Sequence, residues 1–131
     1  CMTRQALPTL DRTKFAPASG LTKGGYALND VAKPDVVLIA TGSEVPLIVD
    51  AAEKLAAEGI KAKLVSLPSW ELFEKQSQEY RDSVIPPAVK ARVCVEMGTA
   101  MGWEKFAGPT GAIIAMRSFG ASAPLKDLLP H

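Results

Sequence analysis

The stretch Asp35–Leu55, DVVLIATGSEVPLIVDAAEKL, contains the change of period on which the fold turns. From Val36 to Ala40 every residue is aliphatic, three of them β-branched, with Pro34 before the run and Gly42 after it. A short apolar run without polar alternation reads as a strand buried on both faces, the kind that parallel sheets use. A helix is predicted to follow directly. Ser43 suits an N-cap, Glu44 complements the positive end of the helix dipole, and Pro46 is tolerated in a first turn. Val45, Ile48, Ala52 and Leu55 then recur at steps of three and four along one face, and Gly59 closes the helix.

The same alternation extends outward in both directions. Tyr26–Leu28 is a short strand candidate behind Gly24-Gly25, and Ala62–Leu67 is a strand ended by Pro68. Ser69 is placed to cap a helix running through Tyr80. A loop with Pro86-Pro87 leads to a buried strand at Arg92–Glu96, after which Gly98 opens the turn into a short helix holding Trp103 and Phe106. Gly111–Met116 is a last strand, and Pro124–Leu129 starts a terminal helix. Residues 1–22, punctuated by Pro8, Pro17, Ser19 and Gly20, show no period and read as a connecting arm. Strands and helices in alternation over some 110 residues give an open, mainly parallel sheet covered on both faces, a single α/β domain.

Composition narrows the function classes. The 131 residues are 47% hydrophobic, 22% charged and 6% aromatic, which is the profile of a globular chain with an aliphatic core. A formal net charge of +1 leaves no electrostatic footprint for nucleic acid or an anionic membrane. No apolar run approaches the roughly 20 residues that a membrane-crossing helix requires. Cys94 sits inside an apolar run and Cys1 is terminal, so no disulfide framework is expected; this usage fits a reducing cytoplasm. The start at Cys1, with Met2 second, reads as part of something longer.

Few residues invite chemistry. The junction Thr41-Gly42-Ser43-Glu44 offers backbone N–H groups and a helix dipole to an anion, so Gly42 and Ser43 are candidate anion-site residues. It lacks both G-x-G-x-x-G and a P-loop lysine, and Glu44 would repel a phosphate. The plainer reading is a capped helix start. Glu96 ends a buried strand, where open α/β sheets place ligands. It has no histidine partner, since the one histidine is His131, so the plainer reading is a carboxylate accepting bonds from a loop. Trp70, Phe73, Trp103 and Phe106 read as core or interface anchors. No metal cluster or nucleophile–base pair can be assembled. Arg4 stands in the arm, where no fold element demands a guanidinium, and arginine is suited to a bidentate grip on phosphate; the plainer reading is a solvated side chain.

Seven segments in order closely resemble the C-terminal part of transketolases: Thr3-Arg4-Gln5 with Leu7-Pro8, Gly24-Gly25-Tyr26, Ala40–Val45, Val65-Ser66-Leu67-Pro68, Tyr80-Arg81 with Ser83-Val84, Gly102-Trp103 with Glu104-Lys105, and Phe119–Pro124. The resemblance implies a three-layer α/β/α sandwich with a mixed, mostly parallel five-stranded sheet whose first strand is antiparallel. It implies that residues 1–22 connect from a preceding pyrimidine-binding domain and that residues 23–131 form the C-terminal domain. The parent enzyme would be a cytoplasmic homodimer moving a two-carbon ketol unit between sugar phosphates. Its thiamine diphosphate and Mg2+ (or Ca2+) would bind between the other two domains, leaving no cofactor, metal or catalytic residue in this chain. Arg4 would grip the substrate phosphate. The fragment alone is then expected to be inactive, with a structural, dimer-supporting or regulatory role. The alternative of another class is a stand-alone module binding a small anion or nucleotide at Gly42–Ser43.

Overall fold

The computed structural model describes residues 6–120. Five strands form one sheet in the order β1-β3-β2-β4-β5: β1 Tyr26–Ala27, β2 Val36–Ala40, β3 Ala62–Ser66, β4 Arg92–Thr99 and β5 Ala112–Met116. β1 pairs antiparallel with β3, and the remaining neighbours run parallel. Four helices accompany it: α1 Val45–Ala57, α2 Trp70–Glu74, α3 Gln78–Val84 and α4 Glu104–Ala107.

The layers follow from the strand period of two. On β2, Val37 and Ile39 point to one face, and Leu38 and Ala40 to the other. The first face is closed by Phe73 of α2, Val84 of α3 and the Trp103–Phe106–Ala107 segment, with Cys94 and Val65 between them. The second is closed by Val45 and Ile48 of α1, and by Leu10, Phe15 and Ala16 of the arm. Val37, Ile39 and Val65 have no exposed surface at all. Burying each such aliphatic side chain stabilises by about 1.5–3 kcal/mol. The three-layer α/β/α sandwich with one antiparallel strand is therefore present.

On the first face, the aromatic side chains form one connected group. Trp70 meets Trp103 edge-on at 5.1 Å between ring centroids, and Trp70 and Phe106 lie 5.4 Å apart. Tyr80 adds its ring beside Phe73 and donates its hydroxyl to the Gly25 carbonyl oxygen at 2.9 Å. That bond ties α3 to the turn before β1. The turn needs glycine: Gly24 has φ +81°, and a Cβ there would lie 2.3 Å from the Phe73 nitrogen.

Several boundaries differ from the sequence expectation. The helix expected from Ser69 through Tyr80 is two helices, capped separately by Ser69 (accepting from the Leu72 N–H, 3.4 Å) and Ser77 (accepting from the Tyr80 N–H, 3.2 Å). The break lets Phe73 and Tyr80 both reach the core from short, differently directed elements. β4 continues to Thr99, beyond Glu96, because β5 supplies a partner through the Thr99–Met116 register after a bulge. β1 ends at Ala27, although the Leu28 N–H still donates to the Leu64 carbonyl oxygen at 2.8 Å. Within the arm, residues Ala18–Lys23 form a 3-10 helix. The arm also folds back on the sheet, with the Ala16 N–H donating to the Leu28 carbonyl oxygen at 2.8 Å. The terminal helix expected at Pro124–Leu129 lies outside the described residues.

Candidate functional site

β2 leads through α1 to β3 on one side, and the chain then passes back beyond β2 to reach β4 on the other. This reversal opens the carboxyl ends of β2 and β4 toward one crevice, the place where open α/β sheets hold ligands. Thr41–Glu44 follow β2 there, in a 3-10 turn that packs against β4, and Glu96 lies near the end of β4.

Ser43 does not cap α1. The 3-10 turn Gly42–Glu44 precedes the helix, Glu44 occupies the cap position, and no side chain accepts a bond there. Gly42 has φ +55°, and this left-handed step re-aims the chain, so Ser43 points along the turn instead of at the helix N–H groups. Its hydroxyl donates to Glu44 Oε1 at 2.6 Å. Glu44 is only 5% exposed, a carboxylate at the positive end of α1. Gly42 and Ser43 are thus adjacent in sequence and differently engaged. Gly42 lines an open groove, while the Ser43 hydroxyl is committed to a neighbouring carboxylate.

Glu96 accepts the Gly98 N–H at 2.8 Å, a local bond within the irregular end of β4 at a partly exposed position. Cys94 is fully buried, with its sulfur 4.0 Å from the Trp103 carbonyl oxygen. Burial pushes its thiol up to about 12, so at neutral pH it is a small apolar side chain and no nucleophile. Among the described residues no three His, Cys, Asp or Glu side chains gather as a metal site, and no helix is long and apolar enough to cross a membrane. Arg4, Cys1 and His131 lie outside the described residues.

The groove was not legible in the sequence, because it forms between segments distant along the chain. It has a volume of about 860 Å³ and lies between the arm and the carboxyl ends of β2 and β3. Arm residues Leu7–Leu10, Arg12 and Leu21 form one side; Thr41, Gly42, Val45 and Ser66 form the other. Arg12 is held in a turn in which Asp11 accepts both the hydroxyl and the backbone N–H of Thr13, bonds that keep the Asp11 carboxyl below its ordinary pKa. The Arg12 Nη1 donates to the Ala16 carbonyl oxygen at 2.7 Å.

The strand order and the helices on both faces define a doubly wound α/β domain. The chain belongs to the transketolase family: residues 24–131 match the transketolase-like TK C-terminal domain. Similar curated relatives include transketolase of Geobacillus stearothermophilus, 49% identical over 98% of this chain, and transketolase 1 of Escherichia coli, 52% identical over 97% of it. Among solved structures, transketolase of Pichia stipitis in complex with sedoheptulose 7-phosphate superposes with a TM-score of 0.84 at 39% identity, covering 97% of this chain and 18% of that one. The chain spans about a fifth of the length of the curated relatives it matches: 20% of the first and 19% of the second.

Proposed function

We propose that this chain is the C-terminal part of a transketolase that transfers a two-carbon ketol unit between sugar phosphates. The observation that carries the reading is sequence identity of 46–52% to transketolases across nearly the whole chain, arm included. In this reading residues 1–22 connect from the preceding domain and residues 23–131 form the accessory domain. In this reading thiamine diphosphate and its divalent metal bind in the rest of the parent. The domain's own work is to give the parent a rigid sandwich, to support its dimer, and to present Arg4 from the arm.

Arg4 acts by position and charge. A guanidinium offers two parallel N–H donors to a phosphate, which fixes the remote end of the substrate and thereby the distance from its carbonyl to the reacting centre. Placed in the complete enzyme, Arg4→Ala raises KM for phosphorylated sugars by about tenfold or more, the loss of a charge-assisted contact worth roughly 1.5–3 kcal/mol. Unphosphorylated donors are little affected. An equal loss on both kinds of substrate would remove the phosphate role from Arg4.

A further inference from the structure

The groove between the arm and the sheet edge is not used by the reading above, and its chemistry is selective. We propose that it binds a small organic anion with an apolar, ring-sized body, whose anionic end is gripped by Arg12.

Three observations carry this. The volume of about 860 Å³ lies in the range of small-molecule sites, and the groove stands at the carboxyl ends of β2 and β3, next to the β2–β4 switch point at which open α/β sheets hold ligands. Among the described residues its lining carries one charged residue, Arg12; the neighbouring Asp11 carboxylate is outside the lining and is engaged by Thr13. Nη1 is anchored on the Ala16 carbonyl oxygen, so the guanidinium is steadied while Nε and Nη2 have no partner among the described residues. The rest of the wall is mainly apolar: Leu7 and Leu21 are 39% and 55% exposed, opposite Val45 and Pro46. A fully hydroxylated ligand would leave its hydroxyls against these side chains. A ring buries them, and the hydroxyls of Thr9, Thr41 and Ser66 are at hand for one polar substituent.

Electrostatics also fix the orientation. Glu44 is absent from the lining, but its buried carboxylate sits two residues beyond Gly42. An anion at the Gly42 end would meet that charge, so the anionic group belongs on Arg12 and the apolar body lies along Leu21 and Val45. This arrangement differs from the Gly42–Ser43 anion site expected from the sequence, because the Ser43 hydroxyl plays no part in it.

Phenyl phosphate is the direct probe, titrated into the 131-residue chain while backbone amide resonances are followed. Saturable shifts are expected at Tyr26, Thr41, Gly42 and Val45, with inorganic phosphate and phenol each binding at least tenfold more weakly. Arg12→Gln should weaken phenyl phosphate about tenfold. Leu21→Glu, a change at an exposed position that leaves the core intact, should weaken it similarly by placing a carboxylate in the wall. Ribose 5-phosphate is the separating arm. It should bind no better than inorganic phosphate; affinity equal to that of phenyl phosphate would overturn the apolar-body claim and make the groove part of a sugar-phosphate site. Unchanged binding in Arg12→Gln, or no saturation in the parent chain, overturns the proposal. None of these outcomes depends on ketol transfer or on Arg4.

Discussion

Replacing Gly24 by alanine tests how the arm is joined to the domain. Gly24 holds φ +81°, where an L side chain costs about 1–2 kcal/mol. Its added Cβ would lie 2.3 Å from the Phe73 nitrogen and 2.5 Å from the Ser69 carbonyl oxygen. Both are backbone atoms of α2 and its cap, so the strain cannot be relieved by rotating a side chain, and overpacking of this kind costs about 1–3 kcal/mol more. The shift also loads the bond from the Ser69 N–H to the Gly24 carbonyl oxygen, 2.9 Å long. Gly59 supplies the control: φ is +80°, yet nothing lies within 4 Å of an added Cβ. The alanine effect on the unfolded chain is common to both variants and cancels. Gly59→Ala should therefore lose about 1–2 kcal/mol, and Gly24→Ala about 1–3 kcal/mol beyond that. With a urea slope of about 2 kcal/mol per molar, a difference near the middle of that range should separate the two midpoints by about 1 M. Midpoints that agree within the error of measurement would refute the close approach of the Gly24 turn to α2.

Other outcomes follow from single contacts. Tyr80→Phe removes the donor to the Gly25 carbonyl oxygen and should cost about 1 kcal/mol in equilibrium unfolding, with the near-ultraviolet signature of the aromatic group otherwise kept. Ser77→Ala should cost about 1 kcal/mol through the lost cap of α3. Cys94 titrates near 9.0 when unfolded and about 12 when folded, so the folded state holds its proton more tightly. Its contribution is fully present below pH 9, and stability falls as pH rises through 9 toward 12; between pH 8 and 10 the loss is on the order of 1 kcal/mol. Cys94→Ala should abolish that slope, and subtracting its unfolding profile from the parent's cancels the alkaline titration of Tyr80, whose pKa burial also raises.

The parts of the fold set by local pattern were legible in the sequence. The unbroken Val36–Ala40 run could satisfy its apolar side chains only inside a sheet covered on both faces, and the step of three and four from Val45 to Leu55 specified α1. The four aromatic anchors joined one cluster because their bulk has no other place in a chain with so few rings. The features set by partners distant in sequence carry no local signal. No proline or glycine marks the break between α2 and α3; it follows from two serine caps and from the need of Phe73 and Tyr80 to reach the same core. β4 outran Glu96 because its end is fixed by pairing with β5, not by its own composition. Ser43 looked like a cap, but the left-handed step at Gly42 moved the cap position to Glu44. Arg12 gave no signal by itself, since its groove exists only after the arm folds back across the sheet edge.

The central claim, that this chain is a working transketolase C-terminal part, is tested most directly by a chimera. The matching segment of Escherichia coli transketolase 1, 52% identical and 19% of that protein's length, would be replaced by these 131 residues. Ketol transfer from xylulose 5-phosphate to ribose 5-phosphate would then be measured with thiamine diphosphate and Mg2+ supplied. The expected product is a folded dimer whose kcat/KM falls within about tenfold of the undivided enzyme, a barrier change of no more than about 1.4 kcal/mol. A chimera that folds, dimerises and binds cofactor, yet transfers no ketol group, would contradict it.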